Sequence, residues 1–359
     1  MDEYWEWFCS IPGVYRTQRE ILLHCFRTPG QVWKASEEEL IYLRDRGCRW
    51  IQKVIEYKKV CSPDQAVALR REAGIEFVGM EQEGYPVRLA SLRDKPYGLF
   101  WRGELPPENV RTVAIVGARV CTPGGRTAAE TIAREVVRAG GAVVSGAAYG
   151  IDGAAQWAAL EEGGKSYAVL GSGVDQYYPA SHKKLFDRLA GQGGLISEFP
   201  PGVKAMPTHF PMRNRIISGL SDVVVVVEAR KKSGSLITAE FALDQGRQVY
   251  AVPGRPDDEL SYGCNELISQ GAGLILSVES FAEPIFPEYK RKKKHPTADI
   301  ALAPAEKLVY SSLGLYGKTL WELEENTALS LSDLSDSLLS LEIKGLIRET
   351  EQNFYVKVK

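Results

Sequence analysis

The chain has 359 residues, longer than one ordinary domain and sufficient to bury a substantial core. Its 44 basic side chains are balanced by 46 acidic ones, for a formal net charge of -2. A polycationic body is excluded, so any nucleic acid must meet a local basic pocket. Hydrophobic residues at 44% and charged ones at 25% suit an ordinary globular protein. No apolar run reaches membrane-spanning length, and the opening MDEYWEWFCS is too acidic and aromatic for a signal peptide, so a cytoplasmic protein is expected.

Residues 1–62 carry short helical patterns rich in Trp and Leu, punctuated by Ile11-Pro12-Gly13 and Thr28-Pro29-Gly30. They are expected to form a helical domain. Residues 63–285 should form an α/β domain with its regular core starting at 113. Before that core, Ile75 to Met80 reads as extended, and Tyr85-Pro86 and Lys95-Pro96 as turns. Strand-like VAIV then ends at Gly117, a helix pattern runs from Arg126 to Ala139, and AVVSG ends at Gly146. YAVLG (Tyr167 to Gly171), LISEF (Leu195 to Phe199), DVVVVVEA (Asp222 to Ala229), QVYAVPG (Gln248 to Gly254) and LILS (Leu274 to Ser277) continue the alternation. Strands alternating with helices predict a doubly wound, Rossmann-like parallel sheet with right-handed crossovers.

Residues 286–303 read as a basic linker containing Lys290-Arg291-Lys292-Lys293-Lys294, by default a solvated tether. Residues 304–359 show helical patterns around Leu320 to Leu323 and Leu331 to Leu341. Gly345-Leu346-Ile347 and Asn353-Phe354-Tyr355-Val356 follow, in the outline of a winged helix. Nine acidic against six basic side chains make this tail a poor fit for duplex phosphates, which favours a protein-interaction or regulatory module.

The six cysteines include no C-x-x-C pair and read as reduced thiols. None of the four histidines has the spacing of a zinc site, so neither a metal nor another cofactor is expected.

The most informative segment is HFPMRNRIISGLSDVVVVVEARKKSGSLITAEFALDQGR, His209 to Arg247. Phe210, Arg213 and Arg215 precede a helix-like run, Ile216 to Leu220. Five valines, Val223 to Val227, then form the pattern of a strand buried on both faces. Ser233-Gly234-Ser235 leads into a second helical run, Leu236 to Gln245. A helix N-terminus offers free amides and a positive dipole end to a phosphate, and an aromatic suits a base face. A plain α/β unit with capped helices and surface arginines explains the same residues equally well. Elsewhere in the core, strands end in small residues: Gly117-Ala118-Arg119, Ser145-Gly146 and Gly171-Ser172-Gly173. Open parallel sheets bind ligands at such ends, which would bring Arg119 near Arg213 and Arg215.

Two nucleotide motifs fail. Gly164-Lys165-Ser166 lacks the P-loop's earlier glycine, Ala159 standing there, and Gln176 occupies the third glycine position after Gly171 and Gly173. His182 and His209 have no nucleophile motif around them, and Asp152 and Glu228 read as structural carboxylates. No catalysis is expected.

VAIVGAR, SGAAYGID, YAVLGSGVDQYYP, LISEFPPG, FPMRNRIISGLSDVVVVVEARKKSGSLITAEFAL, GRQVYAVPG and GCNELISQGA occur in an order similar to that of the DprA (Smf) family of bacterial DNA-processing proteins. The resemblance is dense from Val113 to about Ser277 and looser in the flanks, a sterile-alpha-motif-like or helix-hairpin-helix-like N-terminus and a winged-helix tail. It implies a dimeric, non-enzymatic single-stranded DNA binder that loads RecA during natural transformation or homologous recombination. By the same resemblance Arg119 would hold backbone phosphate with the amides of Gly117, Ser145 and Gly146. Phe210 would stack on a base, Arg213 and Arg215 would line the pocket, and Ser233, Gly234, Ser235 and Thr238 would form its floor. The homodimer contact would fall on Asn265 to Leu274, with Ile268 and Leu274 as apolar candidates that core packing explains as well. Thr238 to Gln245 would face RecA. Three positions depart from the family: Tyr149 stands for a usual arginine, and Gln156 and Asn265 for usual histidines. The alternatives are a nucleotide-processing enzyme of the phosphoribohydrolase group, or a nucleotide sensor. The enzymes carry a PGGxGTxxE segment; here ARKKSGSLITAE lacks the Gly-Gly pair.

Overall fold

The computed structural model describes residues 2–289, 302–314 and 317–358. Residues 290–301 of the expected basic linker lie outside the described residues. The central sheet has nine strands: β1 (Glu76–Gly79), β2 (Gly98–Gly103), β3 (Thr112–Gly117), β4 (Ala142–Ser145), β5 (Ser166–Val169), β6 (Gly193–Ser197), β7 (Val223–Val227), β8 (Gln248–Ala251) and β9 (Gly273–Leu274). Their order is β1-β2-β6-β5-β4-β3-β7-β8-β9. From β6 to β9 all pairings are parallel, and β2 joins β6, and β1 joins β2, antiparallel.

The strands expected from Val113 onward form the parallel part because their apolar runs are covered on both faces. One face packs on helices Pro123–Arg138, Ile151–Glu161 and Val278–Ile285, and the other on His209–Gly219, Gly234–Asp244 and Tyr262–Ser269. The LILS run differs from expectation. Only Gly273–Leu274 pairs as a strand, and Ser277 instead caps a helix, its hydroxyl accepting from the Ser280 amide at 3.2 Å. β2 had no sequence forecast, since its GLFWRG follows the turn formers Lys95-Pro96 and alternates with no single polar face.

Six helices, Asp2–Ser10, Arg16–Phe26, Pro29–Lys34, Glu37–Asp45, Ile51–Val60 and Pro63–Glu72, form the N-terminal region. Their core does not stop at the sheet. Trp7, Phe8 and Leu22 belong to one apolar cluster with Phe100 of β2, Ala168 of β5 and Phe186. Trp7 is fully buried and its indole Nε1 donates to Cys61 O at 3.0 Å. All six cysteines are free thiols, among them buried Cys9, Cys61 and Cys264.

The C-terminal region adds helix Pro304–Ser312, β10 (Lys318–Thr319), helices Leu320–Thr327 and Leu331–Ile343, β11 (Ile347–Glu351) and β12 (Phe354–Lys357), with sheet order β10-β12-β11. Val309, Leu323, Leu334, Leu338 and Leu341 fill its core. This is a winged helix, with a first helix and a short β10 beyond the outline read from sequence. It touches the central region through Arg255–Glu322 at 2.7 Å and Arg348–Glu130 at 3.6 Å.

The expectation that Arg215 lines the same pocket as Arg213 is corrected. Arg215 is 5% exposed, and its Nη2 donates to the buried Glu198 carboxylate at 2.5 Å, with Asp94 3.7 Å from Nε. Two residues along a helix rotate a side chain by some 200°, so Arg213 and Arg215 leave opposite faces. Arg215 therefore ties its helix to the end of β6 and does not enter the cleft described below.

Two stability outcomes follow. A Cβ at Gly117 would lie 1.8 Å from Val227 O, so Gly117→Ala must part β3 from β7; a loss of about 3 kcal/mol in urea unfolding is expected. Arg215→Met strands the Glu198 carboxylate and should cost about 3–5 kcal/mol, of which a Glu198→Gln partner substitution recovers most in a double-mutant cycle.

Candidate nucleic-acid interface

The chain builds β3, β4, β5 and β6 outward in one direction, then returns to place β7 on the far side of β3. Loops leaving β3 and β7 therefore diverge to opposite faces, and the crevice between them is where open α/β sheets take ligands. A cleft of about 670 Å³ opens there. Its walls are Gly117 to Val120 after β3, Ala148 and Asp152 after β4, Phe210, Arg213 and Asn214, and Arg230, Lys232 to Ser235 and Thr238 after β7.

Helix His209–Gly219 starts seven residues before the helix-like run read from sequence. Pro211 reads as a loop signal, yet within the first helical turn it forfeits no intrahelical hydrogen bond. The longer helix matters, because it places Phe210 and Arg213 three residues apart on one face. Phe210 is half-buried, with the exposed Arg119 guanidinium 5.0 Å and that of Arg213 5.9 Å from its ring centroid. Tyr178 lies beside it, ring centroids 5.5 Å apart and tilted by 33°. One aromatic face is thus bordered by two cations and a second ring.

Arg213 is 5% exposed. Its Nη1 donates to Gly146 O at 2.9 Å and to Val169 O, and its Nε donates to Asn214 Oδ1 at 3.0 Å. A Cβ on Gly146 would fall 2.2 Å from Nη2, so glycine is what admits the guanidinium. Burial pushes the Arg213 pKa down to about 10, with Asp152 opposing, which leaves the group charged at neutral pH. Burial raises the Asp152 carboxyl, while Arg213 and the Gly146 amide, donating at 3.1 Å, pull it back. Arg213 and Asp152 are thus mutually compensated beneath the cleft, and the cations that face solvent are Arg119, Arg230 and Lys232.

The Ser145 and Gly146 amides were expected to meet phosphate, and this too is corrected. Neither residue borders the cleft. Ser145 is fully buried with its hydroxyl donating to Ile115 O at 2.7 Å, and the Gly146 amide is taken by Asp152. Gly117 does border the cleft, where it also lets β3 approach β7 closely.

The cleft floor is the N-terminus of helix Gly234–Asp244. Ser233 caps it, its hydroxyl 2.7 Å from that of Ser235, and Asn214 Nδ2 donates to Gly234 O at 3.0 Å. Thr238 lies one turn below, 1% exposed. The positive dipole end of this helix faces the cleft. By contrast, the helix after β3, Pro123–Arg138, has its N-terminus closed by Glu228. That carboxylate accepts from the Thr122 amide at 2.9 Å and from the Thr122 hydroxyl, and a Cβ at Gly125 would strike it at 2.2 Å. An anion entering the cleft therefore meets the second helix, not the first. Sequence reading missed Tyr178, Asn214, Arg230 and Lys232; the signals available were the Tyr177-Tyr178 pair and the basic run Arg230-Lys231-Lys232 before the capping serine.

The positions that depart from the family pattern have local partners. Gln156 is fully buried, accepting from the Ala147 amide at 2.9 Å and donating to Tyr167 O at 3.1 Å. Tyr149 is half-exposed, its hydroxyl 2.9 Å from that of Ser181. Asn265 closes the loop after β8 through both polar groups of the Gly254 backbone, at 3.0 and 3.2 Å. Ile268 is partly buried against the core, whereas Leu274 is 40% exposed on the edge strand β9, with Leu276 beyond it at 72%. Among the described residues no cluster of His, Cys, Asp or Glu could hold a metal ion, and no helix is long and apolar enough to cross a membrane.

The family model for DNA recombination-mediator protein A matches residues 76–285. A Protein Smf from Synechocystis is 31% identical over 382 residues, covering 96% of each chain. A DNA processing protein DprA from Streptococcus pneumoniae is 44% identical over 197 residues, covering 54% of this chain and 68% of the relative. The solved structure of Streptococcus pneumoniae DprA matches with a TM-score of 0.67 at 33% identity, over 81% of this chain and 99% of that one. A Helicobacter pylori DprA structure, described by its single-stranded DNA binding mode, matches with a TM-score of 0.54 at 30% identity, over 60% of this chain and 97% of that one. The chain belongs to the DNA recombination-mediator protein A (DprA/Smf) family.

Proposed function

We propose that the protein binds single-stranded DNA in the cleft between β3 and β7, without strong sequence preference. The observation that carries this is Phe210, a partly open aromatic face flanked by Arg119 and Tyr178 in the same cleft as a positive helix end. Every base has a π-face and every nucleotide a phosphate, so stacking plus cations binds a strand without reading it. Arg119 meets the backbone phosphate, Phe210 stacks on the base, and Ser233 to Ser235 receive a neighbouring phosphate. Arg213 holds the cleft open from below. The single-stranded DNA binding named for the Helicobacter pylori relative supports the same reading.

In this reading the protein is a binding protein and not an enzyme. Asp152 in the cleft wall supports it, since that carboxylate is engaged by the Gly146 amide and the charge of Arg213, and Glu228 after β7 is likewise engaged by Thr122. The protein acts as a homodimer through the β9 edge around Leu274, and hands the strand to RecA, with the exposed Leu243 on helix Gly234–Asp244 as part of the receiving surface. The winged helix takes a protein partner in preference to a duplex, because its third helix carries Asp333, Asp336 and Glu342 and no basic residue.

Binding of a labelled oligonucleotide across a salt series tests the cleft. Arg119→Ala should weaken binding and flatten the log–log salt slope by about 0.7, the value for one phosphate contact on a single strand. Phe210→Ala should cost about 1–3 kcal/mol with the slope unchanged. Competition by AMP with release of its base, and indifference to the oligonucleotide, would move the protein to the nucleotide-processing enzymes. For the dimer, Leu274→Lys should shift the sedimenting species from dimer to monomer while the far-UV spectrum stays the same.

A further inference from the structure

His209 precedes Phe210 in the first turn of the same helix and, about 100° around it, turns into the core. It is 1% exposed, its ring stacks on Phe199 with centroids 4.1 Å apart and planes at 20°, and its two nitrogens are both engaged. Nδ1 lies 3.0 Å from Gly171 O. A carbonyl oxygen only accepts, so Nδ1 carries the proton. In a neutral imidazole Nε2 is then an acceptor, and 3.3 Å away is the Tyr15 hydroxyl of the N-terminal helical region, which donates to it. Burial lowers the His209 pKa, which favours that neutral form.

Two further observations connect this to the cleft. Helix His209–Gly219 begins without a side-chain cap: Thr208 has helical φ and ψ of -69° and -22° and makes no capping hydrogen bond. Its first turn is therefore fixed by something other than the usual device. Gly171, the acceptor for His209, is also the wall behind Phe210, since a Cβ there would lie 3.0 Å from the Phe210 ring. One backbone unit thus anchors His209 and backs Phe210.

We propose that Tyr15 and His209 are positioning residues for Phe210, so that the N-terminal helical region sets the angle of the stacking ring in the single-strand cleft. The inference rests on the reading of Phe210 as the base-stacking residue. Through the Tyr15–His209–Gly171 chain the first helical turn is held in rotation, and Phe210 presents its face between Arg119 and Tyr178. Without it, the uncapped turn frays and the ring loses its fixed orientation, while the phosphate contacts of Arg119 stay in place.

The test has a ligand-free arm and a DNA arm. 4-Fluorophenylalanine is placed at position 210 of the full chain, and its ¹⁹F relaxation is measured without DNA in the wild type, Tyr15→Phe, His209→Ala and His209→Asn. Tyr15→Phe removes one hydroxyl and decides the matter: faster ring motion is the expected result, and unchanged relaxation overturns the proposal. His209→Ala should move the signal further. His209→Asn, which keeps a donor toward Gly171 O, should restore part of it. In the DNA arm, oligonucleotides carrying 2-aminopurine report stacking. Tyr15→Phe should bind about fivefold more weakly, with less quenching and the same salt slope. A mobile ring with unaltered affinity and quenching would overturn the link to DNA. Failure of the wild type to bind the oligonucleotide would instead refute the single-strand reading, and the ligand-free arm would still decide whether Tyr15 and His209 position the ring.

Discussion

The cleft depends on one buried guanidinium. Arg213 joins the carbonyls that end β4 and β5 to a helix from the opposite layer, and it does so from a site with almost no solvent. An arginine suits this position because its planar fork satisfies several fixed acceptors at once and keeps its charge when desolvated. Gly146 supplies the space and Asp152 the counter-charge. With the strand ends tied in this way, the Phe210 face above them has a defined floor, and Arg119 has a fixed ring to lie against.

The arginines of this chain illustrate how position divides labour among identical side chains. Arg119 is exposed and available to an incoming anion. Arg213, near the same ring, is engaged by protein carbonyls and structures the site from beneath. Arg215 crosses to the other side of its helix and is neutralised by Glu198. Charge counting over Arg119 and the RNR segment would assign three equal cations to one pocket; helical periodicity and burial leave only Arg119 of the three free to act.

The flanking regions stand in different relation to the sheet. The N-terminal helices share a continuous apolar core with β2 and β5, so their geometry is coupled to the strand ends and, through Tyr15 and His209, to the first turn bearing Phe210. The winged helix has a core of its own and meets the central region through exposed ion pairs such as Arg255–Glu322, contacts of a kind worth little in water. The first region is thus packed into the core of the sheet, whereas the second is held to it by ion pairs.

Much of this was legible in the residues themselves. The alternation of apolar runs and helical patterns from Val113 specifies the parallel sheet, because a strand covered on both faces must be apolar throughout. Ser233-Gly234-Ser235 announces a capped helix, since small hydroxyls at an N-terminus satisfy its amides locally. The segment holding Phe210 and Arg119's loop was also recognisable, being local in sequence and distinctive in chemistry. What tertiary structure alone decided were the long-range partners. That Arg215 belongs to Glu198, that the Gly146 amide belongs to Asp152, that Glu228 closes the first helix N-terminus, and that Tyr15 reaches His209 across 194 positions are matters of spatial proximity. Sequence records which groups can donate, accept or carry charge. Packing decides which of them meet, and therefore which remain free for a ligand.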